Sequence, residues 1–167
     1  ALNTVNTFLP VLLIDKLNID PELSVTLFTI RSFMFIFMRL LILQSIQDKI
    51  GVKRFLIMTL LLHSGLSAIA FSRDFVALLL PVVLSGLAHG AVYPMSSYVV
   101  SKATNPEEIG LANAFFMFIV DAANFLSSIL LGLVAEALDI SLVFIVGGIA
   151  PIVGALVSVI MVGVTSD

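Results

Sequence analysis

The sequence predicts an all-α polytopic membrane protein with six transmembrane helices. The 167-residue chain is 60% hydrophobic and 11% charged, whereas soluble domains carry about 25% charged residues. Its mean hydropathy is +1.19. Hydrophobic segments separated by short polar loops recur along the chain, and most of them are near the roughly 20 residues that cross a bilayer. We therefore expect a single six-helix domain over residues 1–167, embedded in the lipid bilayer of the cell membrane as a multi-pass protein.

The composition also argues against several other classes of protein. The chain has no cysteine and a net charge of −3, which gives no basis for a disulfide framework, a cysteine metal site or nucleic-acid binding. His63 and His89 lie on different predicted helices, and neither has a carboxylate one helical turn away, so we predict no metal site. No phosphate-binding Gly-x-x-x-x-Gly-Lys loop and no nucleophile–base pair occurs in the sequence. We predict neither a cofactor nor an enzyme activity.

The first hydrophobic segment, residues 1–14, is too short to span a bilayer. It opens within an apolar run and without an initiator methionine. We expect that the chain begins inside a helix, as a fragment or a trimmed part of something longer would. Four charged residues follow and predict an acidic outer loop: Asp15, Lys16, Asp20 and Glu22.

The remaining five segments are predicted over residues 23–46, 55–71, 75–100, 109–135 and 141–164. In the fourth, Gly86 and Gly90 have the G-x-x-x-G spacing that lets two helices approach closely. Asn105, Pro106 and the two glutamates after them form a helix-start signal before the fifth. The sixth has several glycines and almost no polar side chain, which predicts a lipid-facing helix with small-residue packing.

The loop at residues 44–54, QSIQDKIGVKR, is the most concentrated run of charge in the chain. Asp48, Lys49, Lys53 and Arg54 would be very costly in hydrocarbon, and the loop is basic overall. By the positive-inside rule it lies on the cytoplasmic side. Alternation then places the loops near residues 47–54 and 101–108 inside the cell.

Charged residues at membrane depth are the strongest pointers to function, because a charge at the bilayer centre costs at least about 2.5–3.5 kcal/mol. Asp121 lies near the middle of the fifth segment, Arg31 in the outer half of the second and Arg39 in its inner half. Two interpretations of Asp121 stay open. It is either part of a structural ion pair or hydrogen-bond network, or a protonatable carboxylate coupled to transport.

Polar stripes along two helices add to this picture. At 100° per residue, Asn113, Asp121, Asn124 and Ser128 fall within an arc of about 80°. A similar stripe on the fourth segment contains Ser85, His89, Tyr93 and Ser96. Such stripes line a water-filled path or form interhelical hydrogen bonds, which average only about 0.6 kcal/mol each. Asn3 and Asn6 on the first segment could join the lining. His89 is either a packing residue or a proton site, since histidine titrates near neutral pH.

The basic loop resembles a motif of the major facilitator superfamily of secondary transporters. That motif reads G-x-x-x-D-[RK]-x-G-[RK]-[RK] between the second and third helices of each six-helix half. Asp48, Lys49, Gly51 and Lys53 match it, whereas Gln44 and Val52 depart from it. Two further patterns are similar to the carboxy-terminal half of drug-efflux members, and their matching residues are Gly86, Gly90 and Pro94, then Pro106, Gly110 and Ala112.

The resemblance implies half of a major-facilitator-type bundle, made of two inverted three-helix repeats. A second six-helix half would be its partner, supplied by the same polypeptide or by another copy. The implied function is secondary active transport of a small-molecule solute by alternating access, with proton-coupled efflux as one form. The alternative is a non-transporting membrane scaffold or accessory subunit.

The resemblance also implies roles for particular residues. The first and fourth helices of a half line the central cavity, which makes His89 and Tyr93 cavity candidates. The second and fifth flank the other half, which places Arg31, Arg39 and Asp121 at the contact between halves or at the cavity edge. The loop residues implied in a conformational switch are Asp48, Lys49, Gly51, Lys53 and Arg54.

Overall fold

The computed structural model describes residues 2–42 and 51–164, and it confirms the all-α class. Within these ranges, six helices overlap the six predicted segments. They are α1 (Leu2–Val11), α2 (Pro21–Phe37), α3 (Val52–Ser64), α4 (Phe75–Lys102), α5 (Ile109–Ala137) and α6 (Ile140–Val164). α1 continues as a π-helical turn over Leu12–Lys16, α2 as another over Met38–Ile42, and α3 as a 3₁₀ turn over Gly65–Phe71.

Within the described ranges, five helical segments are long and apolar enough to cross a membrane. They are Pro21–Leu40, Val52–Phe71, Phe75–Lys102, Pro106–Ala137 and Ile140–Ile160. α1 falls short of that length, as the sequence predicts for its first segment. The structure therefore shows five candidate spans and a shorter first helix.

α4 lies at the centre of the bundle and packs against α2, α3 and α5. α6 packs against α3 and α5, and α1 contacts both α5 and α6. The larger apolar cluster joins buried side chains of α1, α4 and α6, including Leu9, Leu78 and Phe144. In a bilayer these contacts stabilise the bundle through close van der Waals packing, because lipid tails are as apolar as the side chains.

The predicted close approach at Gly86 and Gly90 is confirmed, and its partner is α2. A Cβ atom on Gly86 would lie 2.5 Å from the carbonyl oxygen of Arg31, and one on Gly90 would lie 2.5 Å from that of Phe35. Real Cβ atoms essentially never come that close to another atom. The two glycines therefore let the backbones of α2 and α4 touch, and this contact fixes which side chains of the two helices meet.

Small residues on α6 work in the same way. A Cβ atom on Gly147 would meet Thr4 of α1, and one on Gly148 would meet Ser67. On other positions of α6, large apolar side chains are exposed, including Ile149, Val153 and Ile160. This agrees with the predicted small-residue packing and leaves an apolar surface suited to lipid.

Two connections precede helices at positions that the sequence singles out. Gly51 precedes α3 with φ at 84°, a conformation that favours glycine. The helix start predicted at Asn105 and Pro106 is confirmed, with Asn105 at the N-cap position, but the Asn105 side chain makes no capping hydrogen bond. Its backbone carbonyl instead accepts the N–H of Glu108, which closes the 3₁₀ turn Pro106–Glu108 ahead of α5.

The outer end of the bundle contains an ion pair that the sequence does not reveal. Nζ of Lys16 donates to both carboxylate oxygens of Asp139, at 2.6 and 2.7 Å, and to the hydroxyl of Ser141 at 2.9 Å. The backbone N–H of Ser141 also donates to Asp139. These contacts tie the end of the first helical region to the start of α6, and they hold the pKa of Asp139 below its ordinary value, chiefly through Lys16.

Candidate functional site

Arg31 occupies the midpoint of the described part of its helix and is nearly enclosed. It follows Pro21 by ten residues and precedes Ile42 by eleven, which puts it about 15 Å from either end at 1.5 Å per residue. Only 7% of its surface is exposed. The Arg31 side chain is therefore too short to bring its guanidinium to either membrane surface.

Two polar side chains from different helices hold the guanidinium. Nη1 of Arg31 donates to Oδ1 of Asn6 at 2.8 Å, and Nη2 lies 2.8 Å from Nδ1 of His89. Asn6 belongs to α1 and His89 to α4, where His89 lies fourteen residues after Phe75 and thirteen before Lys102. These three residues, which we call the Arg31 cluster, join α1, α2 and α4 at mid-membrane.

The geometry of the cluster fixes the protonation of His89. A guanidinium offers only N–H donors, so Nδ1 of His89 must accept the hydrogen bond from Arg31. The imidazole is then neutral, with its proton on Nε2. The ring is also held by an edge-on contact with Phe35 of α2, with 5.2 Å between ring centres.

No carboxylate of the described residues pairs with the charge of Arg31. Asn6 and the neutral His89 supply hydrogen-bond acceptors but no negative charge. The ion pair found in the described part of the chain is that between Lys16 and Asp139, at the outer end. Nε of Arg31 is buried and has no hydrogen-bond partner among the described residues. A cation of this kind is expensive at mid-bilayer, so we take the cluster as the candidate site.

The cluster borders an open side of the bundle. Asn6 is exposed and His89 is half-buried, whereas Arg31 lies behind them. Arg39, two helical turns further along α2, is exposed, and its guanidinium carbon lies 5.9 Å from the centre of the Phe35 ring. The structure thus brings Arg31 and His89 together and leaves Arg39 at the edge.

Asp121 does not join the cluster. It is exposed on α5, twelve residues after Ile109, with Asn124 half-buried one turn further along. Within residues 2–42 and 51–164, no hydrogen bond or ion pair links Asp121 to either arginine. The carboxylate therefore points away from the six-helix bundle, at the depth that the sequence predicts.

A second polar contact joins α4 to α5 closer to the inner end. Ser97 donates to Oδ1 of Asn113 at 2.8 Å, and Nδ2 of Asn113 donates to Ser101 at 2.8 Å. Tyr93 also turns towards α5, where its hydroxyl donates to the sulfur of Met117. Tyr93 and His89, predicted on one polar stripe, thus bond to different helices. Sequence reasoning missed Ser97 and Ser101, although their spacing of four residues places both on one face of α4.

At the end that the loop charge predicts to be cytoplasmic, the described loop residues face the end of α4. Gly51, Lys53 and Arg54 line a cleft with Tyr98 and Lys102, and Nζ of Lys102 lies 5.9 Å from the Tyr98 ring centre. Among the described residues that line the cleft, the charged ones are Lys53, Arg54 and Lys102, and all three are basic. Asp48, Lys49 and Gln44 of the predicted motif lie outside the described residues.

The fold and the cluster define a class of protein. It is a multi-pass membrane protein that keeps polar side chains together at mid-depth, here an arginine, a histidine and an asparagine. The chain is a member of the Major Facilitator Superfamily, whose family model matches residues 1–166. No curated protein and no solved structure matches it. Membership assigns the chain to transmembrane transport of small solutes and confirms the resemblance seen in the sequence.

Proposed function

We propose that this chain is one six-helix half of a secondary active transporter that works by alternating access and exports a small organic solute in exchange for protons. The Arg31 cluster is the observation that carries the proposal. It connects three helices at the midpoint of the membrane, where alternating access requires a binding site. It also contains a histidine, a side chain that can take up and release a proton.

The exposed face of α5 supports the presence of a second half. Within the described chain Leu131 is the buried residue of α5, and large apolar side chains such as Phe118 and Phe125 are exposed. Asp121 lies on this helix at mid-depth and is also exposed. Lipid would solvate the phenylalanines but not the carboxylate. Protein from a second six-helix half, in the same polypeptide or another copy, would cover both.

His89 provides a simple route for coupling protons to the solute. A proton can bind Nδ1 only when the hydrogen bond from Arg31 is broken, since that nitrogen accepts it. Protonation therefore places a second positive charge beside Arg31 and separates α2 from α4 at this point. The other titratable groups on helices packed against α4 are Glu22 and Arg39 on α2, Lys53, Arg54 and His63 on α3, and Asp121 and Glu136 on α5.

The loop between α2 and α3 is proposed as the conformational switch. Gly51 has a positive φ just before α3, and Lys53 and Arg54 line a cleft together with the end of α4. Movement of α3 relative to α4 would change the distances among these cations. Asp48→Ala should slow transport while the amount of folded protein stays close to that of the wild type. Unaltered transport kinetics in this variant would contradict the switch.

Proton exchange can be tested in inside-out vesicles that contain the full gene product. The vesicles are energised to acidify their lumen, and an acridine dye reports the pH gradient while small organic solutes are added one at a time. An exported solute should enter these vesicles in exchange for protons, and the loss of protons from the lumen should restore the fluorescence. Vesicles without the protein are the control.

A scaffold or accessory subunit would behave differently in the same vesicles. It would insert and assemble, yet no solute would change the pH gradient or accumulate inside. That result, with the protein shown by immunoblot to be inserted, would overturn the proposal of transport.

A further inference from the structure

We propose that the transported solute is a small organic anion and that the Arg31 guanidinium binds its carboxylate, phosphate or sulfonate group. This inference rests on the proposed transport function and names its substrate class. The motivating observation is a buried cation whose hydrogen-bond partners in the described chain are both neutral.

The Arg31 guanidinium has more N–H donors than its two hydrogen-bond partners use. Arginine carries five N–H bonds in a planar fork. In this structure one is used by Asn6 and one by His89, and Nε has no acceptor among the residues that the structure describes. Three of the five N–H bonds are therefore left for another acceptor. A fork with several open donors suits a carboxylate, phosphate or sulfonate, which accepts two parallel hydrogen bonds at once.

The neighbours of the guanidinium orient it without neutralising it. Asn6 and the neutral tautomer of His89 fix its position on two sides and leave its full positive charge in place. Phe35 adds an aromatic contact to His89, and close packing of Gly86 against Arg31 holds the backbone. Such a cation is pre-organised for an incoming negative charge, since no carboxylate has to be displaced within the described chain.

The exposed side of the Arg31 cluster, at Asn6, gives the anion access to the guanidinium. Asn6 is exposed, whereas Arg31 behind it is 7% exposed. An anion that enters beside α1 reaches the Nη1 edge first and can take the place of the Asn6 oxygen there. A cationic solute would instead meet like charge at the same edge, and a neutral one would leave the guanidinium uncompensated.

Two sets of probe solutes of matched size and different charge test this in vesicles with the full gene product. One set is benzenesulfonate, benzenesulfonamide and phenyltrimethylammonium, and the other is lactate, lactamide and choline. Uptake of each probe is measured with radiolabel in wild-type, Arg31→Gln, Arg31→Lys and Arg73→Gln vesicles. Arg73 lies in the exposed outer turn, so its variant removes one positive charge far from the cluster.

We expect the anion of at least one set to be taken up faster than its neutral and cationic partners. Arg31→Gln should lower that uptake about tenfold or more, because charge-assisted hydrogen bonds are lost. Arg31→Lys should keep part of the uptake with a raised KM, because it retains the charge and loses the fork. Arg73→Gln should match the wild type.

Uptake that is equal for all charges, or greatest for a neutral or cationic probe, would overturn the anion while leaving transport in place. Anion uptake that survives in both Arg31→Gln and Arg31→Lys would also overturn it, and would assign Arg31 to pairing with a carboxylate of the second half. No uptake of any probe by inserted protein would count against the transport function itself.

Discussion

Nη2 of Arg31 lies 2.8 Å from Nδ1 of His89, and this hydrogen bond joins α2 to α4 at the middle of both helices. The contact exists because Gly86 and Gly90 let the two backbones touch directly beside it. The charge of Arg31 at this depth is costly, because the centre of a bilayer solvates charge poorly. Its position between α1, α2 and α4 is the basis of the proposal that solute and proton bind there.

The close approach of α2 and α4 predicts opposite effects for two similar substitutions. Gly86→Ala should destabilise the bundle by about 1–3 kcal/mol, because the new methyl group would overlap the Arg31 carbonyl oxygen. Gly132→Ala on α5 has nothing within 4 Å of its added Cβ, and should be neutral or stabilising by up to about 1 kcal/mol. Equilibrium unfolding in mixed detergent and SDS micelles measures both. Equal effects of the two substitutions would show that the helices do not approach as described.

The polar contact between α4 and α5 predicts a measurable coupling between Ser97 and Asn113. Each single change to alanine should lower the free energy of unfolding, and the double variant should lose less than the sum. We expect a coupling of about 0.6 kcal/mol, the average for hydrogen bonds between membrane helices. The same cycle between Ser97 and Ser158 is the control, since the hydroxyl of Ser158 bonds to the backbone of its own helix. Strict additivity for Ser97 and Asn113 would disprove the contact.

The outer ion pair predicts a pH dependence of stability. The folded pKa of Asp139 is lowered, first by the hydrogen bonds from Lys16 and then by the backbone N–H of Ser141. The contribution of Asp139 is therefore present above its ordinary pKa and is lost as the pH falls through the lower folded value. Thermal unfolding of wild type and Asp139→Asn should differ slightly at neutral pH, and the difference should vanish in acid. A difference that does not change with pH would rule out this ionic contribution.

The positive φ of Gly51, just before α3, predicts that alanine is strained at this position. Alanine at Gly65 should not be strained. Gly51→Ala must place a side chain at φ 84°, which costs an L-residue about 1–2 kcal/mol. Gly65→Ala adds a methyl group where φ is −56° and nothing lies within 4 Å, so it should be tolerated. The free energies of unfolding of the two variants should differ by about that amount. If Gly51→Ala is as stable as Gly65→Ala, residue 51 does not have the positive φ described.

Much of the fold follows from hydropathy and from loop charge. Among the described residues a helix overlaps each predicted segment, and five helical segments are long enough to span, because long apolar runs in a bilayer must satisfy their backbone hydrogen bonds as helices. Gly86 and Gly90 also mark a close contact correctly. The helix that they contact cannot be predicted in the same way, since any neighbour could occupy that groove.

The arrangement of the site depends on helix rotation and register, which hydropathy does not determine. The sequence places Arg31 and His89 at membrane depth without pairing them, and it groups Tyr93 with His89 although the two bond to different helices. The depth of Asp121 follows from its position along α5, but its outward direction does not. Lys16 and Asp139 are separated by 123 residues, so their contact has no local signature.

The most direct test of the account measures proton movement per solute in a His89→Gln variant of the full gene product. Glutamine keeps a hydrogen-bond acceptor for Arg31 and cannot take up a proton near neutral pH, so the cluster stays assembled without its titratable group. We predict that the variant still equilibrates the solute across reconstituted vesicles, but that a pH gradient no longer drives accumulation and the solute no longer moves protons. Full proton-driven accumulation in His89→Gln, together with its loss in Asp121→Asn, would contradict the account and assign coupling to α5.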